Sequence, residues 1–352
     1  MSRLRAAARA TLLAAGLWAS AAGVSLAGAA PSAGDYRLVD RIPAGDGSFD
    51  YISLDAARGR LFIGRDDRVS AIDLAPRRSV DRLLAGDTVH ASLVLPGGRV
   101  LSTLGGADEA VLFDGATGAV LARAATGDHP DAAAYDPATG SAWVADYLGG
   151  DMTVLDARTG RATDRIAQVG PHPESPVADG HGRLFVNTGS GEVHAVLVID
   201  TRSRKVTARY PLTGCRSASG LTYVSRNDSL VSVCRNGLAI ALSARDGREL
   251  GRVTIGGDAD GALYDAARGL VLIPSGEAGV LEVLRPGGPQ GLARVAAVPT
   301  RVGSATAALD PGTGRVYLPS ADFDPPAREG DDPVPRPGTF QVLVLAPPDA
   351  AP

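Results

Sequence analysis

Asp136-Pro-Ala-Thr-Gly-Ser-Ala-Trp-Val144 reads as the end of one strand, a tight turn and the start of another, and the same grammar returns at Asp310-Pro-Gly-Thr-Gly-Arg-Val-Tyr-Leu318. Asp at the head of such a turn caps backbone N–H groups further along, and Gly supplies the left-handed residue that closes it. Asp55-Ala-Ala-Arg-Gly-Arg60 before Leu61, Asp179-Gly-His-Gly-Arg183 before Leu184 and Asp265-Ala-Ala-Arg-Gly269 before Leu270 are further copies. Weaker ones lie at Pro96-Gly-Gly-Arg99 and Ser225-Arg-Asn-Asp228. The strand after the turn therefore begins at Leu61, Val100, Ala142, Leu184, Leu230, Leu270 and Val316, a period of 39 to 46 residues. Repetition at that spacing outweighs any single-segment signal.

Within a unit a third strand closes on an apolar-Asp pair, as at Ile72-Asp73, Phe113-Asp114, Leu155-Asp156 and Ile199-Asp200. A fourth follows a second turn, as at Val120 to Ala124 and Val206 to Tyr210. Four short strands make one twisted antiparallel sheet with two apolar faces, which cannot bury both alone. Stacking such sheets around an axis buries them. The expected fold is thus all-β, a seven-bladed β-propeller of four-stranded antiparallel blades. A β-solenoid has a much shorter coil, and a sandwich would not repeat its turns so regularly. The last unit, with its third strand at Thr339 to Leu345, lacks a fourth, whereas Tyr36 to Ile42 is a spare outer strand before the first unit. Pairing the two closes the ring. Glu192 to Tyr210 contains neither Gly nor Pro, but its alternation, its β-branched residues and Asp200-Thr-Arg-Ser-Arg204 divide it into two strands. Asp324 to Gly338, Pro-rich and charged, is expected to be a long loop inside the last blade.

The first 29 residues have the form of a cleavable export signal. Arg3, Arg5 and Arg9 precede an apolar stretch from Thr11 to Leu26, and Ala27-Gly-Ala29 offers small residues for cleavage. The stretch is short and Gly/Ala-diluted for a membrane span, and no later segment is long and apolar enough to be one. Residues 30–352 are then expected to form one propeller domain, periplasmic or secreted. Without those three arginines, the 35 basic residues become 32 against 39 acidic ones, a net charge of −7. Nucleic acid and anionic membranes need a basic face, so neither is an expected partner. A small molecule, a metal ion or another periplasmic protein is expected instead, bound by a monomer. Cys215 and Cys234, the only cysteines, read as a disulfide in an exported chain.

The repeat resembles that of the bacterial YVTN-repeat propellers, the YncE-like exported proteins in particular, over about Tyr36 to Leu345. Trp143-Val-Ala-Asp146 and Leu184-Phe-Val-Asn187 look like variants of the family's tetrapeptide. More specific are His172-Pro-Glu-Ser-Pro-Val-Ala-Asp-Gly180, Cys215 through Cys234-Arg-Asn236, and Val298-Pro-Thr300 with Val316-Tyr-Leu-Pro319. The resemblance implies a seven-bladed periplasmic protein and no particular reaction. It also implies an Arg near the seventh blade entry. Here that place is Ala305, so Arg301 or Arg216 would have to supply the compensating charge.

Propeller ligands sit at the central channel or one rim, so the residues entering each innermost strand become neighbours. Those positions are Asp50, His90, Asp131, Glu174, Ser219, Asp260 and Ala305. Carboxylates converging on one axis repel unless they are protonated or bridged by a cation. One reading is a ligand site on Asp50, His90, Asp131, Glu174, Ser219 and Asp260. Its metal version places a divalent ion on Asp50, His90, Asp131 and Glu174, with His129 and His172 in equivalent loops beside it. The opposing reading is that short polar residues cap strand ends, which accounts for Asp better than for His and Glu. An enzymatic reading makes His90 with Glu174 or Asp131 a general acid–base pair of a lactonase-like hydrolase or lyase. No G-x-S-x-G or H-E-x-x-H motif is present, and Gly105-Gly106 and Gly149-Gly150 are turn glycines with no following helix. A third reading is a protein-interaction ring with an inert channel. His181 and His194 are expected to be exposed.

Overall fold

A computed structural model describes residues 34–288, 290–325 and 333–350. The export signal expected over 1–29 lies outside them. The turns behave as their chemistry requires. Asp136 accepts from the Ala138 N–H at 3.1 Å and the Thr139 hydroxyl at 2.8 Å, and Gly140 takes φ 68°. Asp310 does the same with Gly312 and Thr313. Each of these two turns reverses the chain with its Asp carboxylate satisfying a backbone N–H and a Thr hydroxyl.

Seven four-stranded antiparallel sheets result, all in meander order except the one that combines the first and last described strands. Blades I to VI occupy residues 52–85, 89–125, 130–166, 174–211, 218–254 and 263–299. Blade VII combines Ala308–Leu309, Val316–Ser320 and Gln341–Ala346 with the chain's first strand, Arg37–Pro43. The closing pair runs Ile42 opposite Val342 and Pro43 opposite Gln341, as the spare outer strand required. Glu192 to Tyr210 forms the strands Val193–Asp200 and Lys205–Pro211, and there is no α-helix among the described residues. The flanks of the expected 324–338 loop are more ordered than a plain loop: Phe323–Asp324 pairs with Val334–Pro335 as a small ribbon. Residues 326–332 lie outside the described set.

Second strands such as Arg60–Gly64, Ser141–Asp146 and Ser229–Cys234 are buried along their whole length, whereas the outer strand Ala162–Ile166 is almost wholly exposed. The apolar core follows that gradient. Among the described residues it divides into seven clusters, one per blade interface. Phe62, Val100 and Phe113 join blades I and II, and Trp143, Leu184 and Ile199 join III and IV. Ile42, Ile72, Tyr317 and Val344 join VII to I. Each large buried side chain contributes roughly 2–3 kcal/mol of transfer free energy. Because the interfaces form a closed cycle, every blade is gripped on both faces.

Candidate functional site

The loops that lead into the innermost strands share a backbone feature. Thr88, His129, His172, Ser217 and Asp258 lie two residues before the entry residue in five successive blades, and all have φ between 47° and 55°. Left-handed φ is costly for residues other than Gly, especially β-branched Thr, so the packed scaffold must impose it. The resulting kink turns each chain from the outer edge of one blade toward the axis of the next. Side chains at and just before entry thereby meet at one mouth.

That mouth is a cavity of about 310 Å³ lined by Asp50, Tyr51, His90, His129, Asp131, Tyr147, Glu174, Ser217, Arg235 and Asp260. His90 Nδ1 stands 2.5 Å from Asp50 Oδ2 and 3.7 Å from Asp131 Oδ1, and His90 Nε2 is 3.2 Å from His129 Nε2. Ligating atoms of Asp50, His90 and Asp131, from three successive blade entries, all fall within 4.8 Å of one another. Across the mouth Arg235 donates to Asp260 at 2.6 Å and to Asp258 at 3.2 Å, while Glu174 and Asp260 share a hydrogen bond. Below, the channel between the innermost strands is a second cavity of about 200 Å³, lined by apolar and small residues such as Ile52, Ala132 and Leu263. Tyr51 and Asp260 line both cavities and so form the floor between them.

Low polarity beneath and crowding above set the protonation states. Burial, helped by the Asp50 charge and opposed by His90, pushes the Asp131 carboxyl up to about 7. Burial and the charges of Asp260 and Asp131 raise Glu174 well above the carboxylate range. Burial also raises Asp260, against the pull of Arg235. Its hydrogen bond with Glu174 is the one a protonated Glu174 makes to an ionised Asp260. Burial alone would lower His90, but the Asp50 hydrogen bond and the Asp131 charge raise it overall. Burial and the neighbouring His90 lower His129. The mouth is thus an acidic site with one permanent cation, Arg235.

Five of the seven entry residues therefore meet: Asp50, His90, Asp131, Glu174 and Asp260. Ser219 does not join them. Its fully buried hydroxyl bonds the Ala259 carbonyl of the next blade, and Ser217 lines the mouth in its stead. Of the two acids expected to partner His90, Glu174 lines the mouth but pairs with Asp260, and Asp131 lies 3.7 Å from Nδ1; the carboxylate hydrogen-bonded to the ring is Asp50. Neither Arg216, paired with Glu192, nor Arg301, paired with Asp322, supplies the compensating charge. Arg235 does. His172 stacks on Tyr147 with ring centroids 4.7 Å apart and lines an adjoining lobe of about 360 Å³ with His194 and Arg216. His181 is exposed. His194 is buried, because Gly189 has no side chain to exclude its ring: a Cβ there would lie 2.2 Å from His194 Nδ1.

Tyr51, Tyr147, Ser217 and Arg235 escaped the alignment of entries. Two of them follow the second strand, which exits at the rim where the first strand enters. Tyr147 and Arg235 donate their backbone N–H groups to His129 and Ser217, as Gly105 and Gly276 do to Thr88 and Asp258. Aligning strand exits as well as entries would have exposed this second ring.

Asp50 depends on a held connector. The buried Arg65 guanidinium lies 3.7 Å from the Phe340 ring centroid and donates to the carbonyls of Gly45, Gly47 and Ser48. Cys215 and Cys234 are bonded, with Cα atoms 5.5 Å apart, and so tie together the segments that carry Ser217 and Arg235. A further concavity, about 580 Å³, lies along the outer seam between the closing strand and blade I. Its Arg77 and Asp40 pair across that seam, which makes it a joint of the ring.

No family model matches the chain. A phosphoglucosamine mutase of Rubrobacter xylanophilus is 31% identical over 212 residues, covering 59% of this chain. The match spans 39% of that protein, well under half its length. Solved structures are similar over nearly the whole ring. U3-55K aligns with a TM-score of 0.70 at 11% identity, over 90% of this chain and 100% of its own. Kuenenia stuttgartiensis hydrazine synthase aligns with a TM-score of 0.68 at 16% identity, over 78% of this chain and 94% of that one. A chain of the mitotic checkpoint complex gives 0.68 at 13% identity, covering 94% and 98%. At such identities the likeness establishes the propeller fold and no activity.

Proposed function

We propose that this protein is an exported propeller that binds a divalent cation at its acidic mouth. The observation that carries the reading is the convergence of Asp50, His90 and Asp131 ligating atoms within 4.8 Å. Asp131 Oδ1 adds to it, being buried without a hydrogen-bond partner. Four carboxyl groups face Arg235 and two imidazoles, so a bound cation relieves the repulsion that otherwise forces protons onto Asp131 and Glu174. The same charges repel phosphate, which argues against carrying a phosphosugar activity over from the matched mutase. Export is supported by the Arg-led apolar leader, by the disulfide and by the likeness to YncE-like proteins.

Titration calorimetry of the metal-free protein tests the reading. At least one divalent ion should bind stoichiometrically, and Asp50→Asn with Asp131→Asn should abolish binding. Unchanged binding by the double variant would sink the proposal.

A second reading rests on the 2.5 Å Asp50–His90 contact, which orients the ring as a general base with Nε2 toward the mouth. Turnover of lactone or ester substrates by the wild type, lost in His90→Gln, would favour it.

A further inference from the structure

We infer that the ion bound at this mouth is a late first-row divalent metal such as Zn²⁺, held on Nε2 of both His90 and His129 and oriented from behind by Asp50. The inference rests on the cation-binding reading above and revises which of the converging groups ligate, placing Asp50 behind His90 and not on the ion. Two ligands of one ion with bonds near 2.1 Å stand about 2.9 Å or more apart, even at right angles. Asp50 Oδ2 and His90 Nδ1 are 2.5 Å apart, so they are hydrogen-bonded partners and do not share an ion. Nδ1 accordingly keeps the proton, and the free lone pair of His90 belongs to Nε2. A carboxylate behind a ligating imidazole is the arrangement that fixes its tautomer and raises its basicity.

Nε2 of His90 points at Nε2 of His129, 3.2 Å away, with the rings inclined at 62°. Two imidazole nitrogens on a tetrahedral ion with bonds of 2.0–2.1 Å lie about 3.3 Å apart. The spacing is therefore already that of two adjacent ligands. Both rings are delivered by the kinked entry loops of successive blades, so the spacing is set by the ring of blades.

Gly105 gives independent support. A Cβ at this position would lie 2.8 Å from His90 Nε2 and 3.1 Å from His129 Cε1. Gly105 has an ordinary backbone conformation, so its φ does not demand glycine. What demands it is the space beside the two nitrogens. Asp131 Oδ1, buried and unpartnered, lies 3.7 Å from Nδ1 on the other side of the His90 ring. Two imidazole nitrogens, with the remaining positions open, suit zinc or its first-row neighbours. Ca²⁺ requires six to eight oxygens, a set these residues do not offer.

The test is calorimetry with Zn²⁺ and Ca²⁺ on the exported form of the full chain, comparing the wild type with His129→Gln, Gly105→Ala and His181→Gln. Zn²⁺ should bind once and at least about 100-fold more tightly than Ca²⁺, and His129→Gln should weaken it by about 100-fold or more, beyond the loss typical of removing an outer-sphere partner. Gly105→Ala should weaken it about tenfold or more, and His181→Gln, which probes surface binding, should leave it unchanged. Zn²⁺ affinity in His129→Gln within threefold of wild type overturns the inference. If divalent ions bind independently of His129 but are lost in the Asp50→Asn, Asp131→Asn double variant, the mouth is a cation site and only this assignment fails. Absence of any divalent binding overturns both. Co²⁺ bound to the wild type supplies a check independent of variant folding: its visible spectrum should be that of a nitrogen-ligated, low-coordinate ion, and a six-coordinate oxygen spectrum refutes the assignment.

Discussion

Asp131→Asn should make the metal-free protein more stable at pH 8, although it removes a residue of the proposed site. Burial and Asp50 hold the folded carboxyl at about 7 against the ordinary value of 3.8. A carboxyl whose folded pKa exceeds its unfolded one disfavours the fold once it ionises. The penalty is absent below about pH 4, grows as pH rises and is complete above about pH 7. At about 1.4 kcal/mol per unit, the shift corresponds to at most about 4 kcal/mol. Asn also forfeits the attraction between Asp131 and a protonated His90, so the expected gain is about 1–3 kcal/mol. His90, raised in the fold, acts in the same direction: its contribution is complete below about 6.5 and is lost as pH climbs through its folded value. Wild-type stability should therefore fall between pH 5 and pH 8, and the variant's should fall less. Urea denaturation at four pH values with a chelator present measures this, the chelator because a bound cation would mask the repulsion. A flat wild-type profile, or a variant less stable than wild type at pH 8, would refute the argument.

Arg235→Met leaves Asp260 without its 2.6 Å partner. Breaking a fully buried pair costs about 3–5 kcal/mol. The arginine side chain is 44% exposed, so screening should reduce that to about 1–3 kcal/mol. The loss should grow with pH, because burial raises both Glu174 and Asp260 and each charge that appears faces the gap left by the guanidinium; denaturation at pH 5 and pH 8 reads the difference. Replacing both Cys215 and Cys234 by Ser opens a loop of 19-residue separation, which should cost roughly 3 kcal/mol in the chain-entropy model. Because the bond ties Ser217 to Arg235, that variant should also bind the ion more weakly while still folded. Equal affinity would show that the disulfide serves the blade alone.

Blade number and turn positions were legible because each is written several times: the weak turn at Pro96 is supported by its clearer copies at Asp136 and Asp310. The entry residues were legible for the same reason, since Asp50, His90, Asp131, Glu174 and Asp260 occupy one position of the repeat. What resisted reading was pairing within the mouth. Whether His90 takes Asp50 or Glu174 depends on where side chains point from kinked loops, and periodicity is silent on rotamers. Arg235 lies on a strand exit, outside the register inspected. Ser219 shows the converse error: it occupies the right position, but its short hydroxyl finds a neighbouring carbonyl before it can reach the axis.

The strand that fastens the ring, Arg37–Pro43, leads directly into the connector that carries Asp50. Latch and ligand seat are therefore one stretch of chain. During synthesis Arg37–Pro43 emerges long before Gln341–Ala346 and has no partner strand to grip until that strand is made, so the mouth is completed only after all seven blades have been made. A protease that nicks the connector would free the carboxylate that steadies His90 while leaving six blades intact. Two copies that exchanged their opening strands would each seat the other's aspartate, and every binding mouth in such a dimer would be built from two polypeptides.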